Sequence, residues 1–419
     1  MTRFRVRASG PLAGRVQPAG ATKNAGLKQM AAALLAPGVT TLRNMPPVRD
    51  LDVMIELLRS TGANVEQPEP DVVRVDAGCD LVPEARYELV ARMRASFNVL
   101  GPLLARCGHA RVALPGGDNI GSRKVDMHLR GLEAMGAQVR VAHGYVEASA
   151  DLLHGARTFL EFPSVGATEN LMCAAVLAKG TSVIENAARE PEVTALATFL
   201  NRMGAHLLGA GSSTIEIEGV EELHAVESEI MTDRVEAATL LMACGVAGGE
   251  IELVGVQPEH VEMVSVKLCE MGMRISPTSD GLWALAPARL RAVDVATLPY
   301  PGFATDFMPP AVAIMTVAEG SAIVTENVYD GRFQFVDELA RMGADVRNEG
   351  RHAIVRGLDR LSGAPVRASD VRAGAALVLA GLVADGETTV HDGEHIDRGY
   401  SDLAGRLRAL GADVERLDD

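Results

Sequence analysis

A single carboxylate, Asp118, follows two glycines, Gly116 and Gly117, and precedes two cations, Arg123 and Lys124. All lie within LPGGDNIGSRKVDMHLR, Leu114 to Arg130. The glycines permit a backbone excursion that a side chain would block. An acid beside paired cations on such a hinge suits the holding of an anion and the movement of a proton. The same string also reads as a surface turn, because Gly, Asp and Asn are the usual turn residues. The loop by itself leaves both readings open. It joins a short apolar strand, Ala110 to Leu114, to a helix that continues through Gly131-Leu132-Glu133, and these elements must position the acid.

That strand and helix belong to a repeat. Six segments carry a helix into Gly-Ala or a near match and then a strand: LLRSTGANVE, GLEAMGAQVR, FLNRMGAHLL, KLCEMGMRIS, ELARMGADVR and RLRALGADVE. Their glycines, Gly62, Gly136, Gly204, Gly272, Gly343 and Gly411, recur at intervals of 68 to 74 residues. Each stands where a helix must stop, the position where a left-handed glycine cap is common. Upstream of each lies a second helix that is apolar nearly all round, as in ENLMCAAVLAKGTSVIENAA and AGAALVLAGLVADGETTVHD. Such helices are buried. A helix–strand–helix–strand unit cannot cover both faces alone, so the six units are expected to cluster as two groups of three. The starts of the apolar helices divide the same way. Gly20 to Asn24 and Gly166 to Asn170 share Gly-Ala-Thr-x-Asn, whereas Thr232-Asp233, Thr305-Asp306 and Ser369-Asp370 share a hydroxyl–acid pair. Asp at such a place is a routine N-cap, and that reading suits at least two of the three.

At 419 residues the chain is long enough for two or more domains with sizeable cores, and 47% hydrophobic with 23% charged residues is globular composition. A net charge of -15 and only 4% aromatic residues argue against nucleic acid or an anionic membrane as partner. An anionic substrate must therefore meet a local cluster of Arg and Lys. The five cysteines, Cys79, Cys107, Cys173, Cys244 and Cys269, make neither a C-x-x-C pair nor a zinc pattern. The longest apolar runs, such as Ala375 to Ala384, are half the length needed to span a bilayer. A reduced, cytoplasmic protein is expected. His391 and His395 sit near Asp392, Glu394 and Asp397, but the Asp-Gly between them marks a turn rather than a metal-binding helix, so no metal is expected.

GATKNA near the start, LPGGDNIGSRKVD, and HIDRGY near the end, with MRAS, ENAAREPE and the six-unit pattern, carry a resemblance that runs from about residue 3 to about residue 417. The sequence resembles the UDP-N-acetylglucosamine enolpyruvyl transferases (UDP-N-acetylglucosamine 1-carboxyvinyltransferases) of the EPSP synthase-like superfamily. The resemblance implies an α/β fold, a two-domain inside-out α/β barrel of six βαβαββ repeats, three per domain. It implies a first domain over residues 22–230 and a second over 1–21 and 231–419. The implied reaction moves the enolpyruvyl group of phosphoenolpyruvate to the 3-hydroxyl of UDP-N-acetylglucosamine and releases phosphate, the first committed step of peptidoglycan synthesis, without cofactor or metal.

By the same resemblance Lys23, Asn24, Arg123 and Arg398 contact phosphoenolpyruvate. Lys23 also adds its ammonium to the positive end of a helix, and Arg grips carboxylate or phosphate with paired hydrogen bonds. Arg94, Arg123, Lys124, Val125, Asp126, Met127, Phe162, Pro163, Ser164, Val165, Asp306 and Val328 match nucleotide-sugar contacts, and Arg332 and Arg372 match arginines lining the interdomain cleft. Asp306 is expected to take the hydroxyl proton and Asp118 to act as acid, with Lys23 and Arg398 completing the catalytic set. Three positions depart from the common pattern: Asp118 where many members carry Cys, Lys124 where Pro is frequent, and Phe162 where Lys is frequent. A carboxylate is a far weaker nucleophile toward an epoxide than a thiolate, so resistance to fosfomycin is expected. The readings kept beside this one are a paralogue acting on another uridine nucleotide or on shikimate 3-phosphate, and a nucleotide-binding scaffold without catalysis.

Overall fold

The computed structural model describes residues 2–18, 20–78, 80–118, 120–121 and 123–418; Cys79, and Asn119 and Ser122 of the glycine loop, lie outside the described residues. The chain forms two compact units. One comprises Ala21–Gly117 and Lys124–Met231; the other comprises Met1–Gly20, Asp118–Arg123 and Thr232–Asp419. The short segment Asp118–Arg123 thus groups with the second set of residues and not with the chain on either side of it.

Each unit carries three four-stranded sheets. In the first unit, Val39–Arg43, Val72–Asp76 and Asn64–Glu69 run antiparallel, and Glu227–Glu229 joins Val39–Arg43 in parallel. The last strand of that unit therefore completes the sheet of its first repeat. The second unit uses the N-terminus in this way. Thr2–Arg7 lies between Glu387–His391 and Asp413–Asp418, antiparallel to both, while Leu12–Val16 pairs in parallel with Gly249–Val254.

The six repeat glycines all adopt left-handed backbone, with φ from +85° to +114°. Gly62 N–H reaches the carbonyl of Arg59 and Ala63 N–H that of Leu58, which is the double bond of a Schellman cap. The same pair recurs at Gly136 and Ala137, Gly204 and Ala205, Gly272 and Met273, Gly343 and Ala344, and Gly411 and Ala412. A Cβ at φ near +90° is strained, which is why glycine recurs at this one place in every repeat.

The apolar helices lie inside. Every residue of Met308–Met315 and of Val371–Gly381 is buried, and the two pack on each other and on Arg234–Ala247. Pro309 and Pro310 occupy the first turn of Met308–Met315, where N–H groups have no intrahelical acceptor to lose. Each unit has its own hydrophobic core, one including Leu240, Met308 and Leu377, the other Met30, Leu103 and Leu171. Among the described residues no helix is long and apolar enough to cross a membrane. Cys173 and Cys244 are buried free thiols, and burial pushes Cys244 up to about 12.

Candidate active site

The three hydroxyl–acid pairs that begin the apolar helices do not behave alike. Asp233 caps Arg234–Ala247, accepting from the N–H groups of Val235 and Glu236. Asp370 caps Val371–Gly381, accepting from Arg372 and Ala373. Asp306 caps nothing. It sits in a 3-10 turn, Thr305–Phe307, ahead of Met308–Met315, and its carboxylate accepts from Arg332 Nη2 at 2.9 Å and Arg372 Nε at 3.2 Å. Local sequence offers all three aspartates the same capping option; only the tertiary partners of Asp306 withdraw it.

Arg332 and Arg372 are buried, with side chains 3% and 5% exposed, while that of Asp306 is 30% exposed. Burial would raise the Asp306 carboxyl, but the charges of Arg372 and Arg332 and their hydrogen bonds reverse this and hold it well below the usual carboxylate range. Asp306 is therefore an ionised acceptor at neutral pH. Arg332 Nε and Arg372 Nη1 are buried without an acceptor among the described residues. Two buried cations with N–H groups to spare around one part-exposed carboxylate favour the approach of further negative charge.

Segment Asp118–Arg123 lies in the same unit. The Asp118 carboxylate hydrogen-bonds Arg398 Nη1, with both side chains 18% exposed. Arg398 comes from the 3-10 helix Gly393–Arg398. Arg123 turns back to donate from Nη2 to the Asp118 carbonyl at 2.8 Å, and its guanidinium lies over the Tyr329 ring at 6.0 Å. Arg332 lies near the same ring at 5.8 Å. A continuous line therefore runs Arg398, Asp118, Arg123, Tyr329, Arg332, Asp306, Arg372. Gly121 makes the seating of the segment possible: its φ is +104°, and a Cβ there would meet the Asp330 carbonyl oxygen at 2.0 Å.

The other unit holds the remaining expected residues. Lys23 opens helix Lys23–Ala32, whose cap Thr22 accepts from Asn24 N–H. The Lys23 ammonium contacts Asp50 at 2.8 Å. Arg94 donates to the Lys124 carbonyl at 3.3 Å, joining the start of one helical segment to the approach of another, Asp126–Ala134. Lys124 is exposed, Val125 precedes that helix, Asp126 pairs with Arg130, and Met127 is half-buried. Phe162 is 36% exposed and Pro163 half-buried. Ser164 caps Val165–Ala175 through Ala167 N–H.

Beneath these helix starts, Asn170 accepts from Gly101 N–H and donates to the Phe97 carbonyl and to His128 Nδ1. Burial first, then the charges of Arg94 and Lys28, lowers His128 to about 3, so the ring is neutral. The repeat mate of Asn24 is thus an internal brace.

Sequence reasoning missed Asp50, Tyr329 and Glu326. Tyr329 lies beside the expected Val328 and Arg332, but aromatic residues next to charge are common and carry little signal alone. Glu326 and Asp50 are buried acids whose side-chain partners, Thr297 and Thr305 for one and Lys23 for the other, come from other segments. No local pattern announces them.

A family model of EPSP synthase (3-phosphoshikimate 1-carboxyvinyltransferase) matches residues 6–407. A UDP-N-acetylglucosamine 1-carboxyvinyltransferase from Mycolicibacterium paratuberculosis is 50% identical over 416 residues, 99% of each chain. One of the same name from Trichlorobacter lovleyi is 48% identical over 420 residues, the whole of each chain. Among solved structures, the enolpyruvyl transferase NikO from Streptomyces tendae superposes with a TM-score of 0.87 at 26% identity, over 99% of this chain and 98% of that one. EPSP synthase from Acinetobacter baumannii does so with a TM-score of 0.75 at 17% identity over the whole of both chains, a likeness of fold.

Proposed function

The chain belongs to the EPSP synthase family, and from that membership we propose that it transfers the enolpyruvyl group of phosphoenolpyruvate to the 3-hydroxyl of UDP-N-acetylglucosamine, releasing phosphate. This is the first committed step of peptidoglycan synthesis. Identity near one half over whole chains with transferases of that name favours UDP-N-acetylglucosamine as the acceptor. In this reading residues 22–230 form one domain and residues 1–21 with 231–419 the other; the compact units differ from these chiefly in the Asp118–Arg123 segment, which groups with the second. The reaction belongs in the cytoplasm, and the free thiols among the described cysteines fit a reducing compartment.

The observation that carries the proposal is the pair of arginine-held carboxylates, Asp306 with Arg332 and Arg372, and Asp118 with Arg398. In it Lys23, Asn24, Arg123 and Arg398 take the phosphate and carboxylate of phosphoenolpyruvate. Arg94, the backbone and side chains of Arg123 to Met127, and Phe162 to Val165 take the nucleotide. Asp306 and Val328 take the amino sugar, and Arg332 and Arg372 orient Asp306.

Asp306 receives the proton of the 3-hydroxyl as its oxygen bonds to the central carbon of the enol. Asp118, acting in its protonated carboxyl form, gives a proton to the methylene carbon, making a methyl group. The carbon–oxygen bond to phosphate then breaks as the methyl group returns a proton, which restores the double bond. Asp306 has low proton affinity while both arginines hold it, so it works as a base only as the reacting hydroxyl acidifies. Phosphate release by purified protein tests the reading: release with both substrates supports it. Release only with a different uridine sugar favours the paralogue, and no release with any favours the scaffold.

A further inference from the structure

Glu326 is an acid that nothing above uses, and it is 2% exposed. It follows strand Ser321–Thr325 and lies within three residues of Val328 and Tyr329. Its carboxylate receives four hydrogen bonds. Oε1 accepts from Thr297 Oγ at 2.9 Å, Val328 N–H at 2.7 Å and Tyr329 N–H at 3.0 Å. Oε2 accepts from Thr305 Oγ at 2.6 Å.

The direction of the last bond is fixed by its surroundings. Thr305 Oγ also lies 2.7 Å from Arg332 Nη1, and a guanidinium can only donate. The single hydroxyl hydrogen of Thr305 must therefore point at Glu326, leaving a lone pair for Arg332. Arg332 then has its other terminal nitrogen, Nη2, on Asp306 Oδ1 at 2.9 Å. Thr297 is polarised in the same way, because Asn327 N–H donates to its Oγ while its hydrogen goes to Glu326.

We propose that Glu326 is a positioning residue for the reaction, aiming Arg332 and through it the Asp306 carboxylate by a one-way relay, Arg332 to Thr305 to Glu326. The same carboxylate, through its other oxygen, fixes the Val328 backbone that the functional proposal assigns to the amino sugar. This inference rests on that proposal for the role of Asp306.

Glu326→Gln separates the relay from the scaffold. The amide oxygen of Gln keeps the three donors on the Oε1 side. Its NH2 group faces Thr305 as a donor, so the Thr305 hydrogen loses its acceptor and must turn away from position 326, which ends the one-way relay although the hydroxyl keeps a lone pair for Arg332. Thr305→Val removes the relay hydroxyl, whereas Thr305→Ser retains it.

The measurement is steady-state phosphate release with phosphoenolpyruvate and UDP-N-acetylglucosamine, each variant normalised to the number of nucleotide-binding sites found by calorimetry. Expected are a kcat loss of about ten-fold or more in Glu326→Gln and Thr305→Val, with KM for phosphoenolpyruvate within about two-fold. Thr305→Ser should recover to within about three-fold of wild type, and the double variant Glu326→Gln/Thr305→Val should be no worse than the poorer single one. If Glu326→Gln binds nucleotide with wild-type kcat, or if Thr305→Ser fails as badly as Thr305→Val, the relay is overturned. If Glu326→Gln does not fold, the two Thr305 variants decide alone. Failure of the wild-type protein to release phosphate would instead overturn the functional proposal.

Discussion

Arg372 Nε lies 3.2 Å from Asp306, yet Arg372 follows by two residues an aspartate, Asp370, that caps its own helix. Two acids in equivalent places of neighbouring repeats thus perform opposite tasks, one holding a helix end and the other held by arginines from elsewhere. Asp306→Asn keeps the size of the side chain and removes its capacity to take a proton. A kcat reduction of about 10²–10⁴-fold is expected in phosphate-release assays. Asp233→Ala, by contrast, removes a cap, and chemical denaturation should show a stability loss of about 1–2 kcal/mol. Equal activity losses without any stability difference would contradict this division of labour.

Asp118 offers a carboxylate where a thiolate would be alkylated by an epoxide. Incubation with fosfomycin is expected to leave both the mass and the activity of the wild-type protein unchanged. Asp118→Cys should gain the mass of one inhibitor molecule and lose activity with time. A covalent adduct on wild-type Asp118 would contradict the assignment.

Gly121→Ala places a Cβ at 2.0 Å from the Asp330 carbonyl oxygen and on a φ of +104°. The Asp118–Arg123 segment must then shift, taking the acid with it. A fall in kcat/KM of about ten-fold or more is expected, with the thermal midpoint within about 2 °C of wild type because the helical cores are untouched. Wild-type kcat/KM in a folded variant would show that this seating is unimportant.

His128 is neutral and buried, lowered to about 3 by burial and by the charges of Arg94 and Lys28. Its folded value lies below its unfolded one, so the unfolded chain binds the extra proton first. Stability is therefore full above about pH 6.5 and falls as pH drops toward 3, by about 2 kcal/mol at pH 5 from this group. Denaturation at pH 7 and pH 5 measures the difference, and His128→Asn should shrink it. An unchanged pH dependence in that variant would assign the effect elsewhere.

Much of the architecture was legible because it repeats. A helix that must end before a strand needs a left-handed residue, so the glycines at Gly62 through Gly411 mark six units in the sequence itself, and apolar helices such as Val371–Gly381 announce their own burial. The candidate site was legible in its residue types and less so in its wiring. Nothing local distinguishes Asp306 from Asp233 or Asp370, since the distinction lies in Arg332 and Arg372. Glu326 and Asp50 were unreadable for the same reason: the side chains that mark a buried acid, Thr297 and Thr305 for Glu326 and Lys23 for Asp50, are distant in sequence. The grouping of Asp118–Arg123 with Thr232–Asp419 follows from contacts such as Arg398 on Asp118, which no periodicity reveals.

The most direct test of the central claim is the mass of the nucleotide product formed from phosphoenolpyruvate and UDP-N-acetylglucosamine in ordinary and in heavy water. Addition followed by elimination through a transient methyl group predicts a nucleotide heavier by one enolpyruvyl group, with solvent deuterium in its methylene carbon when the reaction runs in heavy water. Recovery of unchanged UDP-N-acetylglucosamine, or of an enolpyruvyl product free of deuterium, would contradict it.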